Sequence, residues 1–142
     1  MPIDIAVDGM GSDKAPEAEI RGAILASRHY DVRVHLVGPQ EILEPALTRA
    51  LKAPRWPGTA IPKIEIVPAS EWITMDDKAA QAVRAKRDSS MRVGLRMVRD
   101  GSARGFFTAG NTGAAMATAK MVLGMLAGVH RPALAAALPT SF

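Results

Sequence analysis

The fold class of this 142-residue chain is indicated first by Ile3-Asp-Ile-Ala-Val-Asp8-Gly-Met-Gly-Ser-Asp13. The apolar run Ile3–Val7 predicts a buried strand, and a glycine-rich polar loop follows it directly. Pro16, Glu17 and Glu19 then predict a helix start, because proline suits the first helical position and carboxylates suit the positive end of the helix dipole. A strand, a glycine loop and a helix in this order are typical of α/β proteins.

The same alternation of strand and helix signals continues along the chain. Further strands are predicted at Val32–Val37, Ile64–Val67, Gly105–Thr108 and Ala133–Leu138. Since these runs are apolar on both faces, we expect a mostly parallel sheet with right-handed crossovers and flanking helices. The sequence therefore predicts a single α/β domain over residues 1–142.

Helices are predicted in the intervals between these strands. One begins at about Pro39, where Pro45 predicts a kink or a later start, and Ala53–Pro62 is predicted to be a surface loop. Thr74-Met-Asp-Asp77 resembles a capping box and predicts a helix that runs to about Arg87. Asp88-Ser-Ser90 predicts the start of another helix, and a helix rich in alanine follows Gly113.

Composition excludes several classes of function. The chain has no cysteine, which excludes a disulfide scaffold, a cysteine-based zinc site and a thiol nucleophile. The N-terminus has two acidic residues and no basic region, so no secretory signal is expected. The longest apolar stretch, Gly113 to Val129, contains Lys120, so we expect no transmembrane helix.

Charge is distributed unevenly. Residues 1–76 contain 8 Lys and Arg against 11 Asp and Glu, whereas residues 77–142 contain 10 against 3. This basic second half favours an anionic ligand or an acidic partner protein, although a solvated basic helix surface accounts for it equally well. Nucleic acid is not expected, because the basic segment has almost no aromatic side chains for stacking on bases.

Two glycine turns are predicted at the carboxyl ends of strands, the edge where parallel sheets bind ligands. Gly110-Asn-Thr-Gly113 opens a helix and fits either an anion site or a tight turn with an Asn or Thr cap. The first loop does not fit the dinucleotide fingerprint, because Lys14 stands at its third glycine. Three roles stay open for Asp8 and Asp13: to orient loop amides, to hold a substrate group or to cap the following helix. No histidine stands at metal-ligand spacing, so no metal is predicted.

Three ordered groups of motifs resemble those of the acyl-ACP–phosphate transacylases, the bacterial phosphate acyltransferases of fatty acid and phospholipid synthesis. They are Ile5–Pro16; Met75–Lys78 with Asp88–Arg92; and Ala109–Ala114 with Arg131–Ala133 and Leu138–Thr140. In the first loop Gly9 stands where the family usually has Ala, and Ser12 where it usually has Gly. Because the family's chain is more than twice as long, the resemblance implies its N-terminal part. It also implies a three-layer α/β/α fold like that of isocitrate and isopropylmalate dehydrogenases, incomplete at the C-terminus.

The resemblance implies reversible transfer of a fatty acyl group from acyl-ACP to inorganic phosphate, giving acyl phosphate for phospholipid synthesis. Neither a cofactor nor an enzyme nucleophile is needed, since phosphate attacks and thiolate leaves. The implied protein is a cytoplasmic homodimer, in peripheral contact with the inner face of the membrane through a segment beyond this part of the chain.

The same resemblance implies roles for the residues of the motifs. Asn111 and Thr112 are the expected catalytic residues, in a turn that binds phosphate or the oxyanion. The expected substrate-binding residues are Asp8, Gly11, Asp13, Lys78, Ser89, Ser90, Arg92, Gly110 and Gly113. Arg96 and Arg99, on one helix face, are expected to dock the acidic carrier protein.

Three other functions remain open at the level of sequence. A phosphotransacetylase-like enzyme would use coenzyme A as the acyl carrier in place of ACP. An inactive fragment could act as a binding module only. A dehydrogenase of similar α/β architecture would instead bind nicotinamide.

Overall fold

The computed structural model describes residues 1–53 and 60–139. Four strands form one all-parallel sheet in the described residues, in the order β3-β2-β1-β4. They are β1 (Ile3–Asp8), β2 (Val32–Gly38), β3 (Ile64–Pro68) and β4 (Gly105–Phe107). The parallel α/β sheet predicted from the apolar runs is therefore confirmed.

Five helices connect or flank these strands in the same part of the chain. They are α1 (Glu17–His29), α2 (Gln40–Leu51), α3 (Ala79–Ala85), α4 (Ser90–Arg99) and α5 (Thr112–Leu123). Helix α2 begins at Gln40 and includes Pro45, so the later start is wrong, and the alternative of a kink at Pro45 stays a prediction. None of the helices in the described ranges is long and apolar enough to cross a membrane.

The helices cover both faces of the sheet, as the alternation of strand side chains requires. On one face, α1 and α2 bury a cluster with the strands; its buried members are Val7, Met10, Ile20, Ala23, Ile24, Val34, Leu36 and Leu43. On the other face, α4 packs on Ala6 and Val37 through Val93, Met97 and Val98. Helices α3 and α5 join α4 in a third cluster around Met91 and Ala114.

The register of the sheet determines which loops meet. Strand β1 is central and pairs Val7 with Phe107 of β4. The next residue on each strand is therefore Asp8 on one side and Thr108 on the other, side by side at the carboxyl edge. This juxtaposition brings the first glycine loop against the turn that opens α5.

Two predicted elements differ from the structure. Ala133–Leu138 is not a strand: these residues are exposed and have no regular structure. Alanine favours strands weakly, and prolines bound this segment on both sides, so little favours pairing. The expected helix after Thr74 begins only at Ala79; the carboxylate of Asp77 does accept the Thr74 N–H at 2.8 Å, but in a turn that precedes α3.

The predicted loop Ala53–Pro62 lies mostly outside the described residues. Its described parts, residue 53 and residues 60–62, have no regular structure. The motif end at Thr140 also lies outside them.

Candidate functional site

The buried carboxylate of Asp8 is the structural centre of the carboxyl edge. Its Oδ1 accepts hydrogen bonds from the Met10 N–H at 3.1 Å and from the Ser90 hydroxyl at 2.7 Å. Its Oδ2 accepts one from the Thr108 hydroxyl at 2.8 Å, and Thr108 Oγ1 in turn accepts the Gly110 N–H at 3.1 Å. One carboxylate thus fixes the first loop, the start of α4 and the turn before α5.

Burial sets the ionisation of this carboxylate. The removal of Asp8 from water raises its pKa above the ordinary value of 3.8, and the nearby carboxylate of Glu19 adds to this effect. The hydrogen bonds from Ser90, Thr108 and the Met10 backbone act in the opposite direction, because they stabilise the charged form. Burial is the largest of these effects.

The two glycine turns contact each other directly. A Cβ on Gly110 would stand 2.9 Å from the carbonyl oxygen of Gly11 and 3.1 Å from its Cα. A Cβ on Gly11 would stand 2.9 Å from both Asp8 Oδ2 and Thr108 Oγ1. Glycine is therefore needed at Gly110 for close packing of backbone on backbone, and at Gly11 for the close approach of the Asp8 and Thr108 side-chain oxygens.

The N-terminus of α5 presents free backbone donors. Thr112 and Gly113 are exposed, and their N–H groups have no acceptor among residues 1–53 and 60–139. The next N–H, of Ala114, is bound by Asn111 Oδ1 at 3.0 Å. Free N–H groups at the positive end of a 12-residue helix can bind an anion.

The side chain of Asn111 links α5 to the turn before α3. While its Oδ1 caps the helix, its Nδ2 donates to the Asp77 carbonyl at 3.0 Å. The carbonyls of Thr74 and Met75 lie at 3.4 and 3.5 Å from the same nitrogen. Both ends of the Asn111 amide are therefore engaged within the protein, and the donors open to a ligand nearby are backbone groups.

Lys78 is the N-cap residue of α3, next to the turn that the Asn111 side chain contacts. Its side chain is exposed and forms no ion pair with any residue in the described ranges. Its neighbour Ala79 packs against the turn, since a Cβ on Gly113 would stand 3.3 Å from the Ala79 methyl carbon. Asp77 and Ala79, on either side of Lys78 in sequence, thus lie next to the turn that carries the two free amides.

Ser89 and Ser90 are buried at the start of α4. Ser89 is the N-cap of α4 and accepts the Arg92 N–H at 3.4 Å, while Ser90 donates to Asp8. The solvent-exposed fraction of each serine is 1% or less. Their hydroxyls support the loops of the site in this structure, and a role in phosphate binding stays a prediction.

The structure gives Arg92 and Arg99 contacts away from the start of α5, whereas Asp13 lines a small cavity with the turn at residues 74–76. The Arg92 guanidinium donates to the carbonyl of Val83 near the end of α3 and lies 3.6 Å from the Met121 sulfur. Arg96 is exposed, and Arg99 pairs with Asp100 at 2.8 Å. Asp13 is exposed and does not cap α1, whose N-cap position is held by Pro16 without a side-chain bond.

Comparison with known proteins identifies the family of this chain. Residues 3–142 match the profile of the family described as "Fatty acid synthesis protein". The chain is 69% identical over 140 residues to the phosphate acyltransferase of Acidobacterium capsulatum, and 66% identical over 140 residues to that of Koribacter versatilis. Identity to the phosphate acyltransferase of Pseudomonas fluorescens is 44% over 137 residues.

The chain belongs to the fatty acid synthesis protein family. The family resemblance of its motifs is thereby confirmed. These matches cover 99%, 99% and 96% of this chain but only 40%, 37% and 39% of the three relatives. The chain therefore spans about two-fifths of the length of the curated family members that it matches.

Sequence reasoning missed Thr108 and Glu19 at this site. Thr108 follows β4 directly, but its pairing with Asp8 depends on the order of the strands, which the sequence does not reveal. Glu19 lies in the first turn of α1, where it was expected to complement the helix dipole; it is also buried, and its Oε1 accepts the Ser12 N–H at 2.8 Å. An acid on the apolar face of α1, next to Ile20, is the one signal that could have indicated this role.

Proposed function

We propose that this chain provides the phosphate-binding part of an enzyme that transfers a fatty acyl group from acyl-ACP to inorganic phosphate. The observation that supports this most is the pair of free amides of Thr112 and Gly113 at the start of α5, at the carboxyl edge of a parallel sheet. The names of the relatives, phosphate acyltransferases, agree with a phosphate substrate. The acyl-ACP donor is inferred from the motifs and from the basic face of α4.

The proposed reaction requires no nucleophile from the protein. A phosphate oxygen attacks the thioester carbon, the new C–O bond forms, and the electron pair of the carbonyl moves to its oxygen. That oxyanion then collapses, the C–S bond breaks, and the carrier thiolate leaves with the bonding pair. In reverse, the same thiolate attacks acyl phosphate. The protein must hold phosphate in line and stabilise negative charge, which preorganised amides and an ammonium group can do.

Each part of the site has a proposed task. The amides of Thr112 and Gly113 bind phosphate or the oxyanion, and Lys78 offsets the charge of the two anions as they approach. Asp8 holds the glycine turns at fixed spacing, so that these amides need no rearrangement during reaction. The exposed Arg96 attracts the acidic carrier. A cytoplasmic homodimer with peripheral membrane contact completes the proposal, on the basis of the family resemblance alone.

A fusion protein tests the activity. In it, this chain replaces the aligned 40% of the Acidobacterium capsulatum relative, which supplies the remaining length. We call this protein the fusion enzyme. Formation of acyl phosphate is measured with inorganic phosphate and either acyl-ACP or acyl-CoA, with the unaltered relative as the control.

The donor preference separates the two acyltransferase hypotheses. We expect acyl phosphate from acyl-ACP, with saturation by phosphate, and a much lower rate from acyl-CoA. A preference for acyl-CoA would assign the chain to the phosphotransacetylase-like alternative. Loss of all activity in the fusion enzyme, with the unaltered relative active, would favour a binding module.

A further inference from the structure

The ion pair between Asp77 and Lys86 lies outside the free amides but is connected to them. Lys86 Nζ donates to the Asp77 carboxylate and, at 2.9 Å, to the carbonyl of Trp72. Both side chains are about three-quarters buried, which favours a fixed geometry over a mobile surface pair. The bonds of Lys86 thus fix the segment from Trp72 to Asp77 at both of its ends.

This segment forms the turn that holds Asn111. The Asp77 carboxylate accepts the Thr74 N–H at 2.8 Å and so closes the turn on itself. The turn directs the carbonyls of Thr74, Met75 and Asp77 toward the side-chain nitrogen of Asn111. Since Asn111 Oδ1 caps α5, the orientation of the first helical amides depends on where this turn stands.

We propose that Lys86 and Asp77 are positioning residues that align the N-terminus of α5 for phosphate. The inference rests on the proposed function, because it assumes that the amides of Thr112 and Gly113 bind phosphate. The path consists of three contacts: Lys86 with Asp77, the 74–77 turn with Asn111, and Asn111 with α5. Neither residue touches the substrate.

Charge offers a competing explanation for any effect of Lys86. Its removal would leave the Asp77 carboxylate unpaired near a bound anion, and this alone would weaken phosphate binding. The two explanations differ in the double variant Lys86→Met/Asp77→Asn, in which neither charge remains. Binding returns to the wild-type level if only charge matters, and it stays weak if alignment of the turn matters.

The experiment measures the dissociation constant of inorganic phosphate for the fusion enzyme by calorimetry, without acyl donor. We expect Lys86→Met to raise this dissociation constant about tenfold, which is the effect of one lost charge-assisted hydrogen bond. The double variant should bind phosphate about as weakly as Lys86→Met does. Lys86→Arg should keep the constant within about threefold, since arginine can donate to the same two oxygens. Arg84→Met, an exposed change two residues earlier on α3, serves as the matched control and should have no effect.

A kinetic measurement separates alignment from general loss of structure. The KM for phosphate should rise about tenfold in Lys86→Met, while the KM for acyl-ACP should change less than about twofold. If Lys86→Met does not yield folded protein, Asp77→Asn gives a milder test, because the amide oxygen of the new asparagine can still accept the Thr74 N–H. Asp77→Asn should raise the phosphate dissociation constant about threefold.

The possible outcomes separate the two proposals. Recovery of wild-type binding in the double variant would overturn the positioning role. An unchanged phosphate dissociation constant in both Lys86→Met and Asp77→Asn would do the same, with the proposed function intact. Absence of saturable phosphate binding in the unaltered fusion enzyme would overturn the proposed function itself, and this inference with it.

Discussion

Gly11 and Gly110 are 99 residues apart in sequence and pack backbone to backbone at the carboxyl edge of the sheet. A side chain on Gly110 would stand 2.9 Å from the Gly11 carbonyl oxygen, a distance that real Cβ atoms do not adopt. Asp8 also binds both turns, through Met10 on one side and Thr108 on the other. The spacing between the two loops is therefore fixed by one buried carboxylate.

Gly110→Ala should lower the free energy of unfolding by about 1–3 kcal/mol, because the obstructing atoms belong to backbone and cannot turn aside. Urea unfolding of the fusion enzyme measures this. The matched control is Gly22→Ala on the exposed side of α1, where an added Cβ meets nothing within 4 Å. That change should raise stability by about 0.5–1 kcal/mol, since alanine favours helix. Equal effects of the two substitutions would contradict the contact.

Ser90→Ala should destabilise the protein and change its response to pH. Burial raises the pKa of Asp8 above 3.8 in the folded state. The carboxyl group of Asp8 therefore binds its proton more tightly in the folded protein than in the unfolded chain. The stability linked to Asp8 is therefore present below about pH 3.8 and is lost as pH rises through the folded pKa. Removal of the Ser90 hydroxyl should raise that pKa further and extend the loss to higher pH.

The measurement is the free energy of unfolding of the fusion enzyme between pH 3 and pH 7, compared with the exposed control Ser102→Ala. Near neutral pH, Ser90→Ala should cost about 1–3 kcal/mol, because a buried carboxylate loses a donor. A cost that is the same at every pH would show that Ser90 does not act through the ionisation of Asp8.

The sequence predicted the parts of this fold that depend on local patterns. The apolar runs at Ile3–Val7 and Val32–Val37 identified strands because each is short, rich in β-branched residues and followed by a glycine-containing turn. Ser89 was likewise identifiable as a helix start, since N-cap chemistry depends on adjacent residues. The run Ala133–Leu138 failed because its alanines are apolar but have little preference for strands.

The site was harder to predict, because its contacts join distant parts of the chain. Asp8 meets Ser90 and Thr108 only because β4 pairs with β1 and α4 packs across them. Asn111 was expected to act through its side chain, yet three carbonyls of a turn near residue 75 surround its amide nitrogen. An anion-binding turn at Gly110–Gly113 can thus be predicted from the sequence. The structure is needed to show which of its hydrogen-bond donors are free.

Lys78→Met should raise the KM for phosphate about tenfold in the fusion enzyme, because the proposal gives its exposed ammonium group the task of offsetting the charge of the bound phosphate. The effect should shrink as salt is added, since Lys78 is exposed and screened. Lys52→Met, an exposed change at the end of α2, is the control and should leave the KM for phosphate unchanged. Equal kinetics for the two variants would remove Lys78 from the phosphate site.

Arg96→Glu tests the basic face of α4 as the docking surface for the acidic carrier. Of the two arginines expected there, Arg99 is paired with Asp100 at 2.8 Å, so we expect Arg96 to contribute more to attraction of the carrier. Charge reversal at Arg96 should raise the KM for acyl-ACP roughly threefold to tenfold at low ionic strength, and less at high ionic strength. The KM for phosphate should not change, because Arg96 lies apart from the free amides.

The control for this last prediction is Arg21→Glu, an equal change of charge at an exposed position of α1 on the opposite face of the sheet. A similar rise of the KM for acyl-ACP in both variants would indicate that net charge attracts the carrier, with no defined surface. A rise confined to Arg96→Glu but independent of salt would instead indicate a short-range contact or a local change in α4, and would count against electrostatic docking there.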